Sequence, residues 1–143
     1  MHVQGDSTLP RLTSRLEFQQ YAASAKDKWN SLWSSTSTVV TVLVGSSSIA
    51  KGAETVLDAA AEYALMKSNV VVRKTGVDGA DWMEVQVTVK RPGGPLVHYA
   101  NVTPDEIVDV IEGRLESKAL GVDGDQPSGN LPPLKDHPFF KYQ

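Results

Sequence analysis

Two short loops hold the residue types that could do chemistry in this chain. The first, Gly45-Ser46-Ser47-Ser48, opens a helical pattern that carries Lys51 and Gly52. Small residues at a helix start leave backbone N–H groups facing outward, an arrangement that favours an anion. Ser46, Ser47 and Ser48 therefore form a candidate anion-binding loop. The order is wrong for a phosphate loop, where lysine follows the second glycine and a hydroxyl residue follows lysine. Here Lys51 precedes Gly52 and no hydroxyl follows. A serine nucleophile would need a base, and His2, His98 and His137 fall in an arm, a strand and a tail. The plainer reading is that the serines cap the helix.

The second loop is Thr75-Gly76-Val77-Asp78-Gly79-Ala80-Asp81. Asp78 and Asp81 could bind a hard cation or act as acid and base. Calcium sites gather about six or more oxygens, and two carboxylates fall well short. Aspartate and glycine together read as a tight turn. Asp123 and Asp125 read as solvated charge, and His98 has no second ligand beside it.

The whole chain of 143 residues contains no cysteine. Disulfide partners, thiolate nucleophiles and cysteine-held zinc or iron–sulfur centres are thereby excluded. A net charge of -3 argues against a nucleic-acid partner. No apolar run reaches the ~18 residues of a membrane span, and the N-terminus lacks a signal-peptide core. The expectation is a cytoplasmic chain with no membrane insertion.

The elements that must position the loops follow from periodicity. Residues 1–13 read as a flexible arm and 119–143 as a linker or tail. Ser14 and Glu17 fit a capping box at the head of a helix spanning 14–34. Phe18, Tyr21, Ala22, Ala25, Trp29 and Leu32 mark its apolar face, expected to be buried; the alternative is a docking face using Trp29 and Trp33. Val39 to Val44 reads as a strand covered on both sides. A helix from about Ala50 to Met66 follows, then a strand from Val70 to Lys74. Val85, Val87 and Val89 alternate with Gln86, Thr88 and Lys90, which predicts a half-exposed strand. Arg91 to Pro95 turns a hairpin, and Leu96 to Ala100 returns. Thr103-Pro104-Asp105-Glu106 heads a last helix with Ile107, Val108, Ile111 and Leu115 on its apolar face. Near the end, Phe139 and Phe140 give the tail enough aromatic surface to predict that it lies on a protein.

This order predicts an α/β (α+β) fold: a thioredoxin-like, mixed four-stranded sheet with βαβ and ββα halves and helices on both faces. An extra N-terminal helix precedes it, so the domain is placed at 14–118.

The arrangement resembles the thioredoxin-like 2Fe–2S domain at the N-terminus of the NADH-binding flavoprotein subunits of complex I-like dehydrogenases, NAD-reducing hydrogenases and formate dehydrogenases. The resemblance runs from about Leu12 to Gln143. It is carried by KDKWNSLW before the first strand, VLVGSSSIAKGAETVLDA at the first loop, and TGVDGAD at the second. The hairpin with its final helix and HPFFKYQ complete it. It implies that the parent protein uses FMN, NADH and iron–sulfur clusters, and that the partner is a flavin- and NADH-binding domain or subunit. In that family the second loop reads approximately T-G-C-x-G-x-C, so Val77 and Asp81 stand where cysteines would be. The first-loop cysteine would fall at Ser47 or Ser48, with an earlier one near Leu43. Valine cannot ligate iron and serine is a weak substitute for thiolate. What the resemblance implies is therefore a cluster-less accessory domain, a scaffold or docking module within an electron-transfer complex. The other readings are a small anion or nucleotide binder in the degenerate pocket, or a stand-alone partner of such a flavoprotein.

Overall fold

In a computed structural model, residues 11–34, 36–124 and 130–140 are described, with 32–34 described by backbone alone. The chain divides into two units between Trp33 and Ser34.

The first unit is built on helix α1, Arg15–Ser34. Ser14 Oγ accepts the Glu17 N–H at 3.1 Å, as the capping signal predicts. The Glu17 carboxylate accepts the Thr13 N–H and hydroxyl at 2.7 and 2.8 Å, which holds its pKa below the ordinary range. The aromatic face was expected to be buried, but Phe18, Tyr21 and Trp29 are 59%, 43% and 50% exposed. Periodicity predicts an apolar face; it carries no information about what covers it.

The second unit is a five-stranded sheet. Its elements run β1 (Thr38–Leu43), α2 (Ser46–Ala50), α3 (Ala53–Met66), β2 (Val70–Thr75), β3 (Val87–Lys90), β4 (Leu96–Tyr99), α4 (Ile107–Glu112) and β5 (Ala119–Asp123). The strand order is β2-β1-β3-β4-β5. β1 and β2 are parallel, and the remaining pairs are antiparallel. The βαβ half and the hairpin–helix half are both present in the order expected.

Three expectations change. First, the sheet has five strands rather than four, because residues 119–123, assigned to the linker, pair with β4. Gly121 hides this strand from a periodicity reading, yet the strand needs it. A Cβ there would come within 2.7 Å of the Pro132 carbonyl oxygen, which accepts the Val122 N–H at 3.1 Å. Residues 132–134 therefore lie along β5 and are part of the fold. Second, the helix expected from about Ala50 to Met66 begins at Ala53 as α3, and a separate short helix, α2, precedes it, the break falling where Gly52 takes φ +93°. A left-handed residue cannot continue an α-helix, and glycine adopts that conformation without a Cβ penalty. Third, helices were expected on both faces, whereas α3 and α4 share one core. That core joins Val56, Ala60, Ile107, Val110 and Ile111 to Val40, Val42, Val87, Val89 and Val97. Since strand side chains alternate, these strand residues all lie on one face. Val39 is also buried, on the other face, as expected for a strand covered on both sides.

The Thr103 signal works as read: the Glu106 carboxylate accepts the Thr103 N–H at 3.1 Å, and a 3-10 turn at Pro104–Glu106 leads into α4. α4 stops at Gly113, φ +78°, so Leu115 packs on the core from beyond the helix.

Ile107 is 1% exposed at the centre of this core, and Leu65 is 83% exposed at the end of α3. Ile107→Ala is expected to destabilise the fold by about 2–5 kcal/mol through the cavity it leaves. Leu65→Ala is expected to stay within about 0.5 kcal/mol of the parent. Urea unfolding followed by circular dichroism compares the two.

Candidate functional site

Parallel pairing of β1 with β2 puts the two loops side by side, because both follow the same end of neighbouring strands. Val44 N–H donates to the Thr75 carbonyl at 2.8 Å, extending the pairing to the mouth of both loops. The structure therefore brings together the positions that the sequence singled out.

What fills the space between them is protein. Val77 packs directly on Gly45: a Cβ built at Gly45 would lie 2.6 Å from a Val77 methyl carbon. The Ser48 hydroxyl is fully buried, accepting the Gly45 N–H at 2.7 Å and facing the Gly45 carbonyl at 3.0 Å. Ser47 Oγ donates to Glu84 Oε1 at 3.1 Å. Ser46 is the exposed serine of the three. Asp78 closes its own turn, accepting the Ala80 N–H at 3.0 Å and the Gln86 side-chain amide at 2.8 Å. Asp81 is exposed, and its backbone carbonyl accepts the Lys51 ammonium from across the gap.

Two residues that the sequence did not single out hold this arrangement. Glu84 and Gln86, each 4% exposed, lie on the segment entering β3. Glu84 reaches the first loop through Ser47, and Gln86 reaches the second through Asp78. The alternation of valines placed Gln86 on an exposed face, and this is corrected: its amide is buried because Asp78 needs a donor. Glu84 Oε2 is buried with no partner among the described residues. The sequence held one usable signal for the pair, their position immediately after the second loop. Asn101 supports the segment, its amide donating to the Trp82 and Glu84 carbonyls at 3.1 and 3.2 Å.

The tail meets the same region. Phe139 packs with Ala80, Met83 and Ala100, and its ring meets Trp82 edge-on at 5.3 Å. Phe140 meets Phe139 edge-on at 4.7 Å. The protein surface on which Phe139 and Phe140 lie is this chain's own. Trp29 belongs to the first unit, and the Trp33 side chain lies outside the described residues.

His98 stands on β4 with Nε2 buried and unpartnered among the described residues. Burial pushes its pKa down, and the charges of Asp123 and Asp78 pull it partly back. A cavity of about 300 Å³ opens at the end of β1 away from the loops and is lined by Thr38, Tyr63, Lys67, Arg91 and Glu112 among others. Its cations serve the fold. Arg91 donates to the Val110 and Ile111 carbonyls at the end of α4, and Lys67 lies 6.0 Å from the Tyr63 ring centre.

Against solved structures, a thioredoxin-like 2Fe–2S ferredoxin from Aquifex aeolicus is similar with a TM-score of 0.54 at 21% identity, covering 66% of this chain and 99% of that one. The wild-type form in another crystal gives 0.47 at 22%, covering 64% and 100%. A cysteine-to-serine variant gives 0.47 at 25%, covering 56% and 88%. The fold is thioredoxin-like. No protein-family model matches the chain, and no curated protein does.

The similar fold of a 2Fe–2S ferredoxin raises the question of whether this thioredoxin-like chain could hold such a cluster. Its donor set does not fit. With no cysteine anywhere, the loop positions offer Val77, an exposed Asp81, and hydroxyls of Ser47 and Ser48 already bonded within the chain. The Val77–Gly45 contact closes the space between the loops. No group of three or more His, Asp or Glu side chains converges among the described residues, and no described helix is long and apolar enough to cross a membrane.

Two predictions follow from this geometry. Gly45→Ala should cost about 1–3 kcal/mol through overpacking against Val77, and adding Val77→Ala should recover most of that loss. Thermal unfolding of the single and double variants measures the coupling. For His98, a folded pKa below the unfolded value of about 6.5 means that the unfolded chain binds the proton first as pH falls. Its contribution to stability is complete above that unfolded value and is lost as pH drops from there through the folded pKa. His98→Gln should flatten this part of a stability profile measured from pH 8 to pH 5.

Proposed function

We propose that this chain is a cluster-less accessory domain acting as a scaffold or docking module for an NADH-oxidising flavoprotein, without redox chemistry of its own. One observation carries the reading. At the places where the resemblance puts cluster ligands, Val77, Ser47 and Ser48 are engaged with the protein itself, and Asp81 is an exposed carboxylate. A thioredoxin-like frame that keeps both loops and closes them on each other has retained a shape rather than a carrier. The ferredoxin likeness supports the frame, and the sequence resemblance supports the flavoprotein setting. An anion or nucleotide in the first loop is less well supported, because two of three serine hydroxyls turn inward and a carboxylate lies behind them.

Protein produced in an iron-replete host is expected to contain only background iron and acid-labile sulfide, with no 2Fe–2S absorption in the visible region. A stoichiometric cluster would overturn the first half of the reading. Mixed with an NADH-oxidising flavoprotein subunit, the chain is expected to co-elute on size exclusion while the flavin remains the sole redox group. Separate elution at micromolar concentrations would overturn the docking half.

A further inference from the structure

The rim of the closed loops has a charge pattern that the scaffold reading does not use. Asp78, Asp81 and Glu84 fall within seven residues of sequence, and none forms an ion pair among the described residues. Among the described residues, the hydrogen-bond donors that meet Asp78 are neutral, the Ala80 N–H and the Gln86 amide. Glu84 is 4% exposed, with Oε1 on Ser47 and Oε2 buried without a partner. It stands between the loops, since its own N–H donates to the Asp81 carbonyl at 3.3 Å while its carboxylate reaches Ser47. The chain already places one cation at this rim, the Lys51 ammonium on the Asp81 carbonyl. Next to Asp81 in sequence, Trp82 is 61% exposed, and its ring packs T-shaped with that of Phe139.

A buried carboxylate oxygen without a partner is costly, and an ionised donor satisfies it better than a neutral one. An exposed indole face next to an acidic rim attracts a cation and its aliphatic stem. Tryptophan is also the residue type that most often anchors an interface. We propose that the rim formed by Asp78, Asp81, Glu84 and Trp82 is a docking site for a basic side chain, an arginine of a partner protein. Its guanidinium pairs with the exposed Asp81 carboxylate and with Glu84, and its stem lies against Trp82. The inference deepens the docking reading above by naming the face used and the chemistry it recognises. The same carboxylates make this end of the sheet a poor receptor for phosphate.

The test uses the full chain and small probes. N-acetyl-arginine amide, its uncharged citrulline counterpart and inorganic phosphate are titrated separately against the nitrogen-15-labelled protein. The arginine probe is expected to shift the Gly45, Ser47, Val77 and Trp82 resonances saturably, and citrulline to bind about tenfold or more weakly. Phosphate is expected to leave these resonances unmoved. Glu84→Gln, which keeps the shape of the side chain, should abolish the preference for arginine over citrulline. Should that variant fail to fold, Ser47→Ala frees Oε1 and should strengthen arginine binding. Equal responses to arginine and citrulline, a saturable phosphate response at these residues, or preference retained in Glu84→Gln would overturn the proposal. So would unchanged arginine binding in Ser47→Ala. Because no flavoprotein is present, failure here leaves co-elution with such a subunit as a separate result.

Discussion

The pairing of β1 on both of its edges is the constraint on which the rest of the structure depends. β2 joins it in parallel and β3 antiparallel, with six and four paired positions respectively. The parallel pair sets the ends of β1 and β2 side by side, so the loops that follow them must meet. The antiparallel pair brings the segment before β3 back beneath those loops. Glu84 and Gln86 are within reach of Ser47 and Asp78 for that reason and no other. Burial of Val40 and Val42 on the face that α3 and α4 share keeps its register from slipping, since a shift of one residue would put Thr41 there instead.

Where the loops meet, the chain resolves a problem common to all small-residue loops that close around something. Loops rich in glycine and serine leave backbone groups in need of partners and little side-chain volume to exclude water. Here Val77 supplies the volume, Ser48 satisfies Gly45, and Asp78 accepts from its own turn. Each contact is modest, and hydrogen bonds of this kind add roughly 0.5–1.5 kcal/mol apiece. Their joint effect is an end of the sheet held by the chain's own groups. Among the described residues of these loops and the segment after them, Glu84 Oε2 is left unsatisfied, which places an acidic point within the arrangement.

The C-terminal segment carries more of the fold than its composition suggests. Glycine, proline and aspartate between residues 119 and 143 have no period, and prolines at 132 and 133 cannot donate backbone hydrogen bonds. Yet the Pro132 carbonyl accepts from Val122, and Phe139 covers Ala80, Met83 and Ala100. Pro132 and Pro133, which can only accept, are well matched to a sheet edge, which they cover without offering backbone donors in turn. It also runs to the second loop, so the tail and the candidate site share Trp82.

Local chemistry alone determined the type of nearly every element. The valine runs, the Ser14 and Thr103 caps and the hairpin turn act within a few residues, where sequence and conformation are directly coupled. The absence of cysteine likewise excluded thiolate chemistry with no structure needed. Tertiary structure decided what depends on distant partners. Residues 119–123 become a strand only because β4 offers an edge, and Gln86 is buried only because Asp78 lies across from it. Gly52 divides a helical pattern because its backbone turns left-handed, a choice that a glycine leaves open in sequence. The aromatic face of α1 shows the converse: its periodicity was clear, but burial depends on a covering surface that periodicity cannot specify. The closure of the two loops belongs to this second class. Val77 and Gly45 are 32 positions apart in sequence, and only the parallel pairing of β1 with β2 puts a valine methyl where a glycine has left room for it.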